Sequence, residues 1–180
     1  TAAREEIPGY IRTLSLSASG APGMGRTDVA LVIAESFPAA MRAAQLIDVQ
    51  WDVPASQKIS SEALFADAKA LPDREQGVKF LSVGNVDDAL RGASEVLEAE
   101  YQTSMIEHAA LEPRNALVQN IDGVFHIYSG HHMGSILIET IAGELGVGVQ
   151  QVVFHPNLVG GSFGDKIYGD QITVAAQACQ

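Results

Sequence analysis

Two stretches of this 180-residue sequence carry residue types that do chemistry. The first is Gly160-Gly161-Ser162-Phe163-Gly164-Asp165-Lys166. Glycine tolerates positive φ and lets a ligand approach main-chain N–H groups. Successive N–H groups in such a turn form a concavity that suits an anion, such as a phosphate or an oxo ligand. The run is neither a G-x-G-x-x-G fingerprint nor a Walker loop, because no G-K-[S/T] follows. A plain glycine-rich turn between strand and helix would look the same. The second stretch holds Glu107-His108 and Glu112-Pro113-Arg114-Asn115. A carboxylate near an imidazole can act as an acid/base pair. The same side chains can equally satisfy exposed backbone groups of their own loop, and that is the expectation here.

The remaining candidates are weaker. His131 and His132 are adjacent, so on a helix they would point about 100° apart and would not chelate one ion. No H-x-x-x-H or H-E-x-x-H occurs, and His126 and His155 sit in strand-like segments, so no direct metal ligation is expected. At a strand-to-helix junction, His131 and His132 can still donate hydrogen bonds into a pocket. Cys179 is the only cysteine, which excludes an internal disulfide and a Cys-rich cluster. No G-x-S-x-G is present, so an α/β-hydrolase has no support.

The elements that must position these residues follow from periodicity. Tyr10–Leu16 reads as a short strand, and residues 17–25, "SASGAPGMG", as an irregular connection. "DVALVIAES" reads as a buried strand, and Ser36 caps a helix with Pro38 in its first turn. Ala40, Ala43, Ala44 and Ile47 form its apolar stripe. "IDVQWD" reads as a second strand, which would complete an α/β unit. Residues 54–80 form a linker with a short helix near Glu62–Ala70. Asn85 caps another, with Asp87 and Asp88 in its first turn. Leu97, Ala99 and Tyr101 alternate with polar neighbours, as in a half-buried strand. The last third predicts a strand at "GVFHIYSG", a well-buried helix at "HMGSILIETIAGEL" ended by Gly146, a strand at "QQVVFHPNLV", the glycine loop, and a helix beginning "GDQITVAAQA". The fold class is mixed α+β, with a boundary near residue 82. The final helix reads as cut in its middle, which suggests a fragment or a split subunit.

Hydrophobic residues make up 47% and charged residues 18%, a globular balance that excludes disorder. The net charge of −11, without a basic run, gives no basis for binding nucleic acid. No apolar run reaches the roughly 20 residues of a membrane span. The compartment is not legible.

Three segments together resemble the large subunit of the molybdenum hydroxylases, the xanthine dehydrogenase and aldehyde oxidase family. They are "VALVIAESFPAAMRAAQLIDVQWD", "AEYQTSMIEHAALEPRNALV" and "IYSGHHMGSILIETIAGELGVGVQQVVFHPNLVGGSFGDK", in the family's order. The H-A-x-x-E-P form is most similar to the isoquinoline oxidoreductase and bacterial aldehyde dehydrogenase branch. The resemblance implies that residues 1–81 are the end of an α/β hammerhead domain plus linker, and that 82–180 begin a molybdopterin-binding domain. It implies a molybdenum–molybdopterin cofactor, with the cytosine dinucleotide as one form. It also implies 2Fe-2S clusters, with FAD or haem, on partner subunits. The partners it implies are the rest of the large subunit, an iron–sulfur small subunit and a small aldehyde or heterocycle, hydroxylated with oxygen from water.

By the same resemblance, Gly161, Ser162, Phe163 and Gly164 lie beside the metal's oxo ligand, and the metal is held by the pterin, not by side chains. His131 takes the place of a family glutamine that bonds an oxygen ligand of the metal, and Ser162 replaces a family glycine. The catalytic glutamate lies outside this chain, so neither Glu107 nor Glu112 has that role, and the chain alone should be inactive. Two other classes stay open. One is a cofactor-free scaffold or assembly module. The other is an unrelated nucleotide-binding α/β domain, which would put phosphate at a helix N-terminus.

Overall fold

The computed structural model describes residues 5–19, 25–55, 58–74 and 77–180. Residues 20–24 of the expected irregular connection lie outside that description. Contacts divide the chain into two units, 1–49 with 108–180, and 50–107. The boundary expected near residue 82 falls inside the second unit. The architecture is mixed α+β.

In the first unit, β1 (Tyr10–Ala18) and β2 (Thr27–Ala34) pair antiparallel with Leu14 opposite Leu31. The second strand is half-buried along much of its length, not buried as its apolar run suggested, because a two-stranded ribbon has no sheet neighbour on its other edge. Helix α1 (Phe37–Ala44) follows. Ser36 caps it by accepting from the Ala39 N–H, and Pro38 occupies the first turn, as expected. Its buried face is Ala39 and Ala43 rather than the stripe through Ala40 and Ala44. The strand expected at "IDVQWD" does not form, and Trp51 is exposed. Alternation fixes side-chain directions but supplies no partner for the backbone, and a strand needs one.

Residues 108–180 build a three-stranded sheet in the order β3 (Leu117–Ile121), β4 (Val124–Ser129), β5 (Val152–Pro156). Strands β3 and β4 are antiparallel, with Val118 opposite Ile127. Their connection puts Asp122 at φ 51° and Gly123 at φ 82°, the left-handed pair that a tight hairpin demands. Strands β4 and β5 run parallel, so a crossover must join them, and helix α4 (Gly134–Leu145) does so. Gly146 at φ 67° ends α4 in the left-handed region. The last helix, α5, spans Asp170–Cys179. One face of the sheet packs against α4 and α5 through Phe125, Ile127, Leu137, Ile141 and Ile172. The other face carries the stacked rings of His126, Tyr128 and His155. The ribbon is tied to the helices: Arg26 donates to both carboxylate oxygens of Glu144, and Thr173 Oγ1 donates to Ser19 O at 2.9 Å.

The second unit contains α2 (Ser61–Arg74) and α3 (Val86–Gly92). Asn85 caps α3 by accepting from the Asp88 N–H, as expected. The half-buried strand expected around Leu97–Tyr101 is absent: the segment has no ladder partner, and both side chains are exposed. Phe80 and Val78 are also fully or nearly fully exposed.

Candidate functional site

The glycine loop lies between β5 and α5 and is gripped from two sides. Its backbone makes a series of left-handed steps, with φ of 86° at Gly161, 50° at Phe163 and 94° at Gly164. Phe163 is not a glycine, so its conformation carries strain of about 1–2 kcal/mol that the surroundings must hold. The Phe163 side chain is 74% exposed at the loop tip.

The first grip comes from residues 108–115. Glu112 N–H donates to Gly160 O at 3.0 Å, and Gly160 N–H donates back to Glu112 Oε2 at 2.8 Å. The same oxygen accepts from Lys166 Nζ, while Asn115 Nδ2 donates to Glu112 Oε1 at 3.2 Å. Lys166, the bond to it first and then those from Gly160 and Asn115, holds the Glu112 carboxyl down at about 2. The Lys166 side chain is 2% exposed. His108 Nδ1 lies 2.7 Å from Phe163 O; a carbonyl only accepts, so this nitrogen carries the hydrogen. Arg114 spans two carboxylates, with Nε 3.0 Å from Asp165 Oδ2 and Nη1 3.0 Å from Asp170 Oδ1. Its bond to Asp165 lowers that carboxyl below its ordinary value.

The second grip comes from the end of β4. His131 is buried, and both its nitrogens are engaged by backbone. Met133 N–H donates to Nδ1 at 3.0 Å, so Nε2 carries the hydrogen and donates to Ile167 O at 3.1 Å. Burial pushes the His131 imidazole below its ordinary value, against the bond to Ile167, with His132 lowering it slightly further. His132 N–H donates to Lys166 O at 3.2 Å.

Within the loop, Ser162 O accepts from Asp165 N–H at 2.9 Å and Ser162 Oγ accepts from Lys166 N–H at 3.0 Å. The Ser162 hydroxyl thus satisfies one amide of the short 3-10 turn Asp165–Ile167, whose N-cap is Gly164. The amide of Gly161 turns back to Val159 O at 2.9 Å, so it is not open to a ligand, a correction to the expectation for that residue. Among the described residues, the amide hydrogens of Ser162, Phe163 and Gly164 meet no acceptor. The structure therefore brings Gly161, Ser162, Phe163 and Gly164 together in one loop and sets His131 behind its exit. His131 offers no free nitrogen of the kind expected from the replaced glutamine. The loop leads into the 3-10 turn and Gly169 before α5 begins, not straight into a helix N-terminus as a phosphate-binding α/β unit would. Among the described residues no group of three or more His, Cys, Asp or Glu is placed to hold a metal ion.

Sequence reasoning placed Glu112, His108 and Lys166 near chemistry without seeing that all three hold the loop. The signal was present in the polar cluster's second reading, side chains serving backbone groups. The backbone served belongs to a segment about fifty residues away, and no local pattern reveals that.

A family model described as a molybdopterin cofactor-binding domain matches residues 71–180. The chain belongs to this family. Over 97% of its length it is 32% identical to a membrane-bound aldehyde dehydrogenase [pyrroloquinoline-quinone] of Gluconacetobacter polyoxogenes, covering 22% of that protein. It is 24% identical to the aldehyde oxidoreductase molybdenum-binding subunit PaoC of Escherichia coli over 93% of this chain and 25% of that one. Aldehyde oxidase 1 of Oryctolagus cuniculus is 29% identical over 83% of this chain and 11% of that protein. The chain thus spans a quarter or less of the length of these relatives. Unpartnered amides at Ser162, Phe163 and Gly164 suit an anionic group, as a molybdopterin cofactor is. No helix among the described residues is long and apolar enough to cross a membrane.

Proposed function

We propose that this chain is part of the cofactor-binding portion of a molybdenum-dependent oxidoreductase acting on aldehydes or N-heterocycles. The observation that carries the reading is the run of unpartnered amides at Ser162, Phe163 and Gly164 in a loop whose two ends are fixed. The names of the three relatives, all of them aldehyde-oxidising and one of them also molybdenum-binding, support the substrate class. When bound, the group supplies two-electron oxidation of the substrate, with the inserted oxygen drawn from water. This chain's residues would bind and orient it: the amides of Ser162, Phe163 and Gly164 would meet its negative charge, Phe163 would present a ring at the loop tip, and Gly161 supplies the turn. His131 supports the arrangement from behind by fixing Ile167 O, rather than by touching an oxygen ligand.

Glu112 is unsuited to be the catalytic base, since a carboxyl held at about 2 has little proton affinity. We place the catalytic base outside this chain. The same reading assigns residues 1–81 to the end of a hammerhead-type domain and 82–180 to the start of the pterin-binding domain, and the family match beginning at residue 71 supports the second part. Cys179 alone cannot hold a cluster, so we place the 2Fe-2S groups, and any FAD or haem, outside this chain, on partner subunits. The cytosine dinucleotide form of the pterin is the variant we propose.

The test is metal and pterin analysis of the whole protein that carries this chain, with Phe163→Ala and Gly161→Val beside the wild type. Molybdenum with a pterin in the wild type, and reduced molybdenum or turnover in the folded variants, is the expected result. A quinone without molybdenum, as the name of one relative would suggest, overturns the proposal. So does unchanged cofactor content and rate in both variants.

A further inference from the structure

We propose that Glu112 is the positioning residue of the glycine loop, holding it at both ends so that its open amides keep one shape. This builds on the reading of the loop as a cofactor cradle, but its geometry rests on this chain's own atoms. A single carboxylate oxygen collects the Gly160 N–H at 2.8 Å and the Lys166 ammonium. Those two residues bracket the segment that carries the open amides.

Three observations separate this from an ordinary surface ion pair. First, the Lys166 side chain is 2% exposed. A buried ammonium without a partner is strongly unfavourable, so its buried position depends on the carboxylate. Second, a Cβ built on Gly160 would lie 2.7 Å from Glu112 Cβ. Only glycine lets the two backbones approach closely enough for Glu112 N–H to reach Gly160 O at 3.0 Å. Third, the local sequence prepares the approach. Pro113 biases Glu112 toward extended backbone, the conformation that lies alongside a neighbouring chain, and Asn115 takes the carboxylate's other oxygen. His108 adds a hold at the tip through Phe163 O. Among the described residues no hydrogen bond joins Glu112 to His108. Each side chain engages the loop, which leaves the acid/base pairing of the two without geometric support.

The test is hydrogen exchange, resolved to single amides, in the whole protein with and without its cofactor. Glu112→Gln keeps an acceptor for Gly160 N–H but strands Lys166. It should raise exchange at Gly160, Asp165 and Lys166 about tenfold or more, with β4 and α4 amides unchanged. Adding Lys166→Met to that variant removes the stranded charge and should return most of the protection. Lys166→Met alone, which leaves only a partly exposed carboxylate unpaired, should loosen Asp165 and Lys166 and spare Gly160. Wild-type exchange at all three amides in Glu112→Gln overturns the proposal, as does an equal rise throughout β4 and α4. If Glu112→Gln cannot be obtained folded, Lys166→Met decides: unchanged exchange at Asp165 and Lys166 overturns it. If the wild type carries no molybdopterin and the variants still show the expected exchange pattern, the cofactor reading is refuted and the role of Glu112 stands. If the wild type carries molybdopterin and the variants show no exchange response, the reverse holds.

Discussion

Two adjacent alanine substitutions, Gly160→Ala and Gly161→Ala, should destabilise the loop by similar amounts and for different reasons. At Gly160 the new methyl would sit 2.7 Å from Glu112 Cβ, 3.0 Å from its Oε2 and 3.2 Å from its Cδ. Carbon–carbon contacts are most favourable at about 3.5–4.0 Å, so Glu112 must withdraw by the better part of an ångström. Overpacking of this kind costs about 1–3 kcal/mol. The displaced group is the one that pairs Lys166. At Gly161 the nearest atom to a new methyl is Leu111 N at 3.7 Å, so nothing collides, but φ is 86°. Holding an alanine in the left-handed region costs about 1–2 kcal/mol. In local opening, 1–3 kcal/mol corresponds to exchange faster by about five- to 150-fold.

The discriminating assay is exchange at Lys166 and Asp165 in the whole protein. Gly160→Ala should accelerate both amides along with its own. Gly161→Ala should leave Lys166 within about twofold of wild type, because the Glu112–Lys166 pair is untouched. If Gly160→Ala left Lys166 protected, or Gly161→Ala exposed it equally, the steric account of the clamp would be wrong.

Three further outcomes follow from the same geometry. His131 is held neutral by burial, below its ordinary value of 6.5. The unfolded chain therefore takes up its proton first as pH falls through about 6.5, and stability is lost from there downward until the folded group also titrates. The destabilisation caused by His131→Gln, read as a shift in urea midpoint, should accordingly be smaller at pH 5 than at pH 8; equal shifts at both would contradict this protonation state. Ile141, fully buried between α4 and the sheet, should lose about 2–5 kcal/mol on conversion to Ala, and a loss under 1 kcal/mol by denaturant titration would mean this core is not formed. Phe163→Ala should leave the urea midpoint nearly unchanged, because the ring is mostly exposed, while lowering molybdenum content or turnover; a large fall in stability would show that the ring packs on protein.

Much of the last third was legible because its patterns are local. The apolar run of α4, the stop at Gly146 and the strand through Phe125 and Ile127 all specify structure over a few residues, and all three form. The helix caps at Ser36 and Asn85 were readable for the same reason. Strand β3 went unread, although Asp122-Gly123 between Ile121 and Val124 is a strong hairpin signal. The failures at 47–52 and around Leu97 share a cause. Alternation announces two faces, but a ladder needs a second strand, and none of the described residues supplies one. The loop's glycines were visible as a site, whereas its restraints were not. Glu112, His108 and His131 act across 48, 55 and 36 positions of sequence, and only folding shows which carbonyl or amide each one reaches.

The ion pairs around the loop have a consequence for what can approach it. Lys166 is consumed by Glu112, and Arg114 by Asp165 together with Asp170, so two cations stand against three carboxylates. Seen from a few ångströms away, the entrance carries a surplus of negative charge and should deter free phosphate or sulfate. Attraction begins only at contact, where fixed amide dipoles face the guest. Occupancy should then vary little between low and high ionic strength, since short-range dipoles in a closed fit are poorly screened. Such a receptor should favour a group brought into contact with the amides over small anions free in solution.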